Sequence, residues 1–335
     1  MQPIPLVRVW CLVPFVTFLE GIGSPVDRWL EDSKIAPELI ESPADCVPLE
    51  YVLQFTDRAA REEGADTLGI DVARRLAAED FGAWDVLADC PNLLDRIRKV
   101  CAMLPLENTG LRMWYEVRGD KATICSRFVD GLGPGARHAE DLVLMLTLEA
   151  MDRAAEPGWK PDMIRFPSIR SDRFRRDELF QDVRLEYGSS HVEVTIPRAM
   201  LSQPMREWKP SCARAGASGS VVEQSAPAPD FVGSLEATIT TILHLGPPSI
   251  ADIAELTNTS VRTLQRRLGE EGVSLSTVLD RARFRLADEF LRDEGATVTD
   301  VAFQLGYSNP PAFTRAFRRW TGVSPQTYQT QLRLN

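Results

Sequence analysis

From residue 1 to about 105, apolar side chains recur three and four positions apart. Trp10 to Glu20, Pro25 to Leu30, Pro48 to Glu63, Leu68 to Ala78 and Pro91 to Met103 each carry one such stripe, the spacing of a helix that buries one face. Proline opens several of these segments, at a position where its missing N–H costs no hydrogen bond. After Pro105 the period changes. Leu111, Met113, Tyr115 and Val117 alternate with Arg112, Trp114, Glu116 and Arg118, Gly119-Asp120 turns the chain, and Ala122 to Phe128 returns it, which predicts a β-hairpin. A helix over Arg137 to Ala155 follows, then strands over Met163 to Phe166, Val183 to Tyr187 and His191 to Ile196. From Trp208 to Pro229 periodicity is lost to Ser, Ala, Gly and Pro. A structureless run of that length belongs between domains rather than inside one, and its r.m.s. reach is on the order of 25 Å. A signal crossing it travels by direct docking or altered dimer geometry, because so loose a tether transmits no torque. Beyond Asp230 the helical period returns. The fold class is therefore an α+β N-terminal domain (helical first half, then hairpin and short strands), residues 1–207, a flexible linker, 208–229, and an all-α C-terminal domain, 230–335, with two helix-turn-helix motifs.

The C-terminal pattern is duplicated. Ala254, Asn258 and Ser260 recur as Ala302, Gly306 and Ser308 at an offset of 48, and Leu264 to Leu268 recurs as Phe313 to Phe317 at an offset of 49. Each copy predicts a short helix, Ile250 to Leu256 or Val298 to Leu305, whose small alanine lets a second helix cross closely. A tight reversal follows at Asn258 or Gly306, residue types that tolerate positive φ. Ser260, and Ser308 or Asn309, are then suited to cap the second helix. Leu264 and Leu268, or Phe313 and Phe317, lie four apart and face inward. The other side carries Arg262, Gln265 and Arg266 in the first copy and Thr314, Arg315 and Arg318 in the second. Arg and Gln are the side chains that pair bidentately with guanine and adenine edges in the major groove. An ordinary solvated face is the alternative for a single copy; duplication favours the reading of bases. Ser276 to Glu294 predicts one helix about 27 Å long, a strut that holds two reading helices near the ~34 Å spacing of successive major grooves.

These residues carry a resemblance. Residues 249–325 resemble the AraC/XylS-type DNA-binding domain of bacterial transcription regulators, through Ile250 to Leu256, Ser260 to Leu268, Leu305-Gly306-Tyr307 and Phe313 to Pro325. The resemblance implies sequence-specific binding to double-stranded promoter or operator DNA, with Arg262, Gln265, Arg266, Asn309, Thr314, Arg315, Arg318 and Arg319 as the contacting residues. Pro310 and Pro311 occupy the first turn of the second reading helix and offer no donor. The first copy is accordingly expected to carry more of the discrimination, and the second more of the phosphate contact. More weakly, Leu12 to Arg206 resembles the effector-binding domain of one branch of the same family, through Val13-Pro14-Phe15, Leu68-Gly69-Ile70, Pro91-Asn92-Leu93-Leu94 and Pro197 to Pro204. That implies a small-molecule effector or self-association as a homodimer, and RNA polymerase as a further partner. The hairpin face bearing Arg112, Trp114 and Glu116 either lines a pocket or is an exposed sheet face.

Charge sharpens this picture. The chain's formal net charge is −10, which excludes a general nucleic-acid coat. From Asp230 onward there are eleven arginines, no lysine and twelve acidic residues, a balance of −1 that leaves −9 upstream. Arginine kept on particular helices fits selective docking.

Other motifs carry less. Cys11, Cys46, Cys90, Cys101, Cys125 and Cys212 form no CxxC pair and read as free thiols of a reducing cytoplasm, with no metal or cofactor expected. A DNA-repair methyl-acceptor enzyme fused to the same helix-turn-helix module is the alternative function. It needs a clustered cysteine site to activate a thiolate, which this scatter does not provide, so no enzyme is expected. The apolar run Val9 to Leu19 is broken by Pro14 and is too short to span a membrane, so it reads as a core helix of a cytoplasmic protein. The Gly131 to Gly135 loop lacks the P-loop ending and reads as a connector. Arg165, Arg170, Arg173, Arg175 and Arg176, interleaved with acids, read as a solvated surface. His138 and His191 read as isolated.

Overall fold

The computed structural model describes residues 3–76, 87, 90–130, 132–167, 174, 178–206, 230–243, 246, 248–257, 259–292 and 295–332. The chain forms two compact units, one of Pro5–Ser33 and Pro37–Pro227, the other of Ala228–Asn335 joined by Met1–Ile4 and Lys34–Ala36. The sequence pattern alone places these last two short segments in the first domain. The expected linker at 208–229 lies outside the described residues.

In the N-terminal unit the apolar stripes become α1 (Val13–Gly21), α2 (Val26–Asp32), α3 (Leu49–Glu62), α4 (Leu68–Arg75) and α5 (Leu93–Glu107). The Asn92 side chain caps α5 by accepting from the Asp95 N–H. This helix continues two residues past Pro105, beyond the change of period. Pro105 forfeits one intrahelical hydrogen bond, with only the end of the final turn left to follow it. Helix α6 (Ala136–Asp152) follows the hairpin. Two glycines set how closely the helices pack: a Cβ on Gly69 would stand 2.1 Å from the His138 carbonyl oxygen, and one on Gly135 1.9 Å from that of Leu53. Thus α4 crosses α6 at Gly69, and the glycine-rich loop brings the start of α6 against α3. A carboxylate oxygen of Glu50 faces the Gly133 N–H at 3.5 Å, the wrong sign for a phosphate cradle. Gly131 lies outside the described residues.

Strands β3 (Leu111–Arg118), β4 (Lys121–Phe128), β5 (Met163–Phe166), β6 (Arg184–Tyr187) and β7 (Val192–Pro197) form one sheet. Their order is β3-β4-β7-β5-β6, and among the described residues only the β5–β6 pair is parallel. Gly119 takes φ 60° in the hairpin turn, as a two-residue loop requires. Ile124, Ile164 and Val194 bury one sheet face in a core shared with Ile97, Leu144 and Leu148. Two three-residue strands, β1 (Leu6–Arg8) and β2 (Cys46–Pro48), also pair antiparallel. Segments this short show no alternation, so the sequence reading misses them. Arg165, half-exposed on the sheet, pairs across strands with Glu186 at 2.7 Å and Glu193 at 3.4 Å. The positions 170, 173, 175 and 176 of the same arginine run lie outside the described residues. The histidines are not isolated. His138 is fully buried and accepts from Arg137 Nε at 3.1 Å, while His191 lies 2.8 Å from Ser190 Oγ and 3.4 Å from Glu193.

The C-terminal unit contains α7 (Phe231–Ile242), α8 (Ile250–Leu256), α9 (Val261–Glu270), α10 (Leu275–Arg292), α11 (Val298–Gln304), α12 (Pro310–Thr321) and α13 (Pro325–Leu332). It has two apolar cores. Leu235, Ile239, Ile253, Leu264 and Leu268 build the first, joined by Ile4, whose N–H donates to Ser234 Oγ at 2.9 Å. Val301, Ala302, Phe313 and Phe317 build the second. Helix α10 belongs to both: Val278 and Ala282 enter the first core, Ala287 and Leu291 the second, and Leu286 packs against each.

Candidate nucleic-acid interface and ligand cavity

Each C-terminal core supports one helix-turn-helix. Ser249 and Asp252 form a reciprocal capping box at the start of α8, and Thr297 and Asp300 form the same box at the start of α11. Both pairs repeat at an offset of 48. The S-x-x-D and T-x-x-D spacing was readable in the sequence, since such boxes satisfy two orphan N–H donors at once. The Ser249 hydroxyl, first, and then its N–H hold the Asp252 carboxyl below its usual pKa. Ser260 caps α9 by accepting from the Thr263 N–H, and Asn309 caps α12 by accepting from the Ala312 N–H. These caps are 49 apart, so the extra residue of the second copy falls in its turn. Gly306 sits there at φ 78°; its counterpart Asn258 lies outside the described residues.

The caps align the reading helices position by position. Arg262 corresponds to Pro311, Gln265 to Thr314, Arg266 to Arg315, Gly269 to Arg318 and Glu270 to Arg319. The first helix therefore carries arginine toward its N-terminal end, the part that in helix-turn-helix proteins generally meets the major groove, and the second carries it toward its C-terminal end. Leu264, Leu268, Phe313 and Phe317 are buried. Arg262, Gln265, Arg266, Asn309, Arg315, Arg318 and Arg319 are exposed, and Thr314 is half-buried.

Their freedom differs. Among the described residues Arg262, Arg315 and Arg318 have no ion-pair partner, whereas Arg266 pairs with Glu270 one turn along at 2.5 Å, an exposed arrangement that contributes little. Arg319 is more committed, since it spans from α12 to Asp280 of α10 at 2.8 Å, and Asp280 is largely covered. Asn309 spends its carbonyl oxygen on the cap and directs its amide to Ser308 at 3.3 Å. The sequence reading treats these eight side chains alike; the tertiary partners of Arg319 and Asn309 are invisible to it.

The N-terminal unit holds a cavity of about 200 Å³. Ile97, Val100, Leu104 and Glu107 of α5 line it together with Leu142 and Leu146 of α6. From the hairpin, Leu111 and Met113 enter its wall, so Arg112, Trp114 and Glu116 stand on the opposite sheet face. There Trp114 rests on His191 with ring centroids 4.8 Å apart and donates to Glu116 at 3.4 Å. Strand alternation fixes which set faces inward, but not which face the helices cover.

Three of the cysteines are poorly suited to nucleophilic chemistry. Burial pushes the Cys125 thiol up to about 12, and burial likewise raises Cys11 and Cys101. At pH 8 the Cys125 thiolate fraction is then on the order of 10⁻⁴. Site-resolved mass spectrometry after brief iodoacetamide treatment of the native protein should find Cys125 alkylated ~1000-fold more slowly than an unshifted thiol. Alkylation at the rate of a free thiol would show that the residue is not held as described. Cys212 lies outside the described residues.

Together, the paired motifs and shared strut define a duplicated helix-turn-helix unit. Comparison with known proteins agrees. The arabinose-binding domain of AraC transcription regulators, N-terminal, matches residues 23–205, and a helix-turn-helix domain matches residues 253–331. The first match covers more than half of the chain, which belongs to the AraC family of transcription regulators. An uncharacterized HTH-type transcriptional regulator of Mycobacterium bovis is 43% identical over 81 residues, 24% of each chain. This chain thus matches about a quarter of that relative's length. The ornithine utilization regulator of Pseudomonas aeruginosa is 26% identical over 309 residues, covering 89% of this chain and 88% of that one. Among solved structures, the transcriptional regulator CdpR from Pseudomonas aeruginosa aligns over 91% of this chain and 96% of its own at 21% identity and a TM-score of 0.42. No helix among the described residues is long and apolar enough to cross a membrane.

Proposed function

We propose that this protein is a cytoplasmic transcription regulator that binds specific double-stranded DNA through α9 and α12 and responds to a small molecule held in its N-terminal unit. The observation that carries the DNA reading is the pair of second helices, each with one face buried in its own core and the other bearing exposed arginines. In this reading Arg262, Gln265 and Arg266 contact base edges, Arg315 and Thr314 do so in the second copy, and Arg318 holds phosphate. Arg319 and Asn309 serve first as a brace and a cap. Helix α10, with 18 residues and a length of about 27 Å, spaces the two helices. RNA polymerase and a second copy of the chain are the remaining partners such a regulator would use.

Arg262→Ala or Gln265→Ala should each cost about 1–3 kcal/mol at one base position and relax specificity there. Arg318→Ala should weaken binding on all sequences and reduce the slope of log affinity against log salt by about 1. Titration of operator and scrambled duplexes at several salt concentrations separates these effects. Equal losses on every sequence for the first two variants would remove the base-reading assignment, and an unchanged salt slope for the third would remove the phosphate contact.

A further inference from the structure

The cavity of the N-terminal unit says something about its ligand. An interior of about 150 Å³ lined by aliphatic side chains holds benzene. The ~200 Å³ here is larger by two or three atoms. Along α5 the lining is aliphatic from Ile97 to Leu104, and the polar group at its end is Glu107. That carboxylate is fully buried. Its Oε2 accepts from Trp10 Nε1 at 2.5 Å and pairs with Arg8 Nε at 3.1 Å. Its Oε1 is buried and has no hydrogen-bond partner among the described residues. A buried acceptor left in this condition is costly, and a donor brought by a ligand removes that cost.

We propose that this cavity takes an uncharged, mainly apolar molecule of about eight non-hydrogen atoms with a single hydroxyl, whose O–H donates to Glu107 Oε1. Charge selects against the alternatives. Arg8 already balances Glu107, so a ligand ammonium would enter an apolar space with its charge uncompensated, and a ligand carboxylate would face another carboxylate. Three more charged residues line the cavity: Glu149 and Arg153 pair with each other at 2.6 Å, and Arg96, which carries an interaction of its own, lies eleven residues before Glu107 on α5, about 16 Å along the axis. A pentose is excluded on the same reasoning. One of its hydroxyls would meet Glu107, and those laid against Ile97, Val100 and Leu104 would lose their water partners, at roughly tenfold or more in affinity each. The inference rests on the reading that the N-terminal unit binds an effector, and it names the chemical class of that effector.

The test is calorimetric titration of the full chain with four probes of similar size: benzyl alcohol, toluene, benzoate and L-arabinose. The alcohol is expected to bind at least tenfold more tightly than toluene, with benzoate and arabinose giving no measurable heat. Ala150 of α6 also lines the cavity, and Ala150→Phe, which places a ring there, is expected to abolish the alcohol's binding. Preference for the sugar or for benzoate would overturn the ligand class and leave an effector-responsive regulator standing. No heat from any probe, or alcohol binding unchanged in a folded Ala150→Phe protein, would overturn the assignment of the cavity. DNA titration of the same preparation reports separately on the regulator reading. Should the variant fail to fold, the four-probe series on the unaltered chain decides.

Discussion

Phe317→Ala is expected to destabilise the C-terminal unit by about 3–5 kcal/mol and to remove one half of the DNA footprint. Phe317 is fully buried at the centre of an aromatic cluster, with Tyr328, Phe313, Phe284 and Trp320 at centroid distances of 5.3, 5.5, 5.9 and 6.0 Å. These rings come from α10, α12 and α13, so the side chain couples the second reading helix to the strut and to the last helix. Truncation opens a cavity that neighbouring rings cannot close without leaving their edge-to-face contacts. The first core has separate members and should stay folded. The expected footprint therefore loses protection on the side read by α12 and keeps it on the side read by α9. Denaturation of the variant with footprinting on the same preparation tests this. A loss below about 1 kcal/mol would mean that the second core is not the cluster described, since full burial of an aromatic side chain sets the larger figure.

Why this core was readable in advance, while the N-terminal cavity was not, follows from the range of the interactions. Leu264 and Leu268, or Phe313 and Phe317, declare an inward face by their spacing alone, and the side chains between them then face out. Caps are equally local: Ser260 and Asn309 act within three residues. The hairpin is of the same kind, with Gly119 at its turn. Relations between distant segments fall outside that range. Arg8 meets Glu107 across nearly a hundred residues, Arg319 reaches Asp280 from another helix, and Arg165 finds Glu186 and Glu193 on neighbouring strands. Nothing in the local pattern announces such partners, so Arg319 reads in sequence as a free cation. The hairpin shows the boundary between the two cases. Alternation separates Leu111 and Met113 from Arg112, Trp114 and Glu116, yet only the packing of α5 and α6 decides that the first set borders the cavity. Pro105 marks the opposite error, a strong local signal that α5 overrides because the proline falls in its last turn.

Arg8→Met should cost about 3–5 kcal/mol, the usual result of leaving a buried charge without its partner. The guanidinium is almost fully buried; it donates to the carbonyls of Leu106 at 3.0 Å and Ala44 at 2.5 Å as well as pairing with Glu107. Methionine fills similar volume and satisfies none of the three. The pH dependence distinguishes lost charge pairing from lost packing. Burial already holds the Glu107 carboxyl above its usual pKa, against the lowering effects of the Trp10 hydrogen bond and the Arg8 charge. Removing Arg8 takes away one of those lowering effects, so the folded-state pKa rises further. A group whose folded pKa lies above its unfolded value stabilises fully below the unfolded value and loses that contribution as pH rises through the folded one. The variant should therefore be nearest to the parent in acid and fall away from it as pH climbs from the ordinary carboxylate range toward neutrality. Adding Glu107→Leu should flatten this slope and restore much of the stability, because replacing both members of a buried pair by apolar groups is far less costly than removing one. Urea denaturation across that pH range measures both effects. A parallel offset of the single variant at every pH would assign Arg8 to packing and its carbonyl bonds rather than to charge pairing with Glu107.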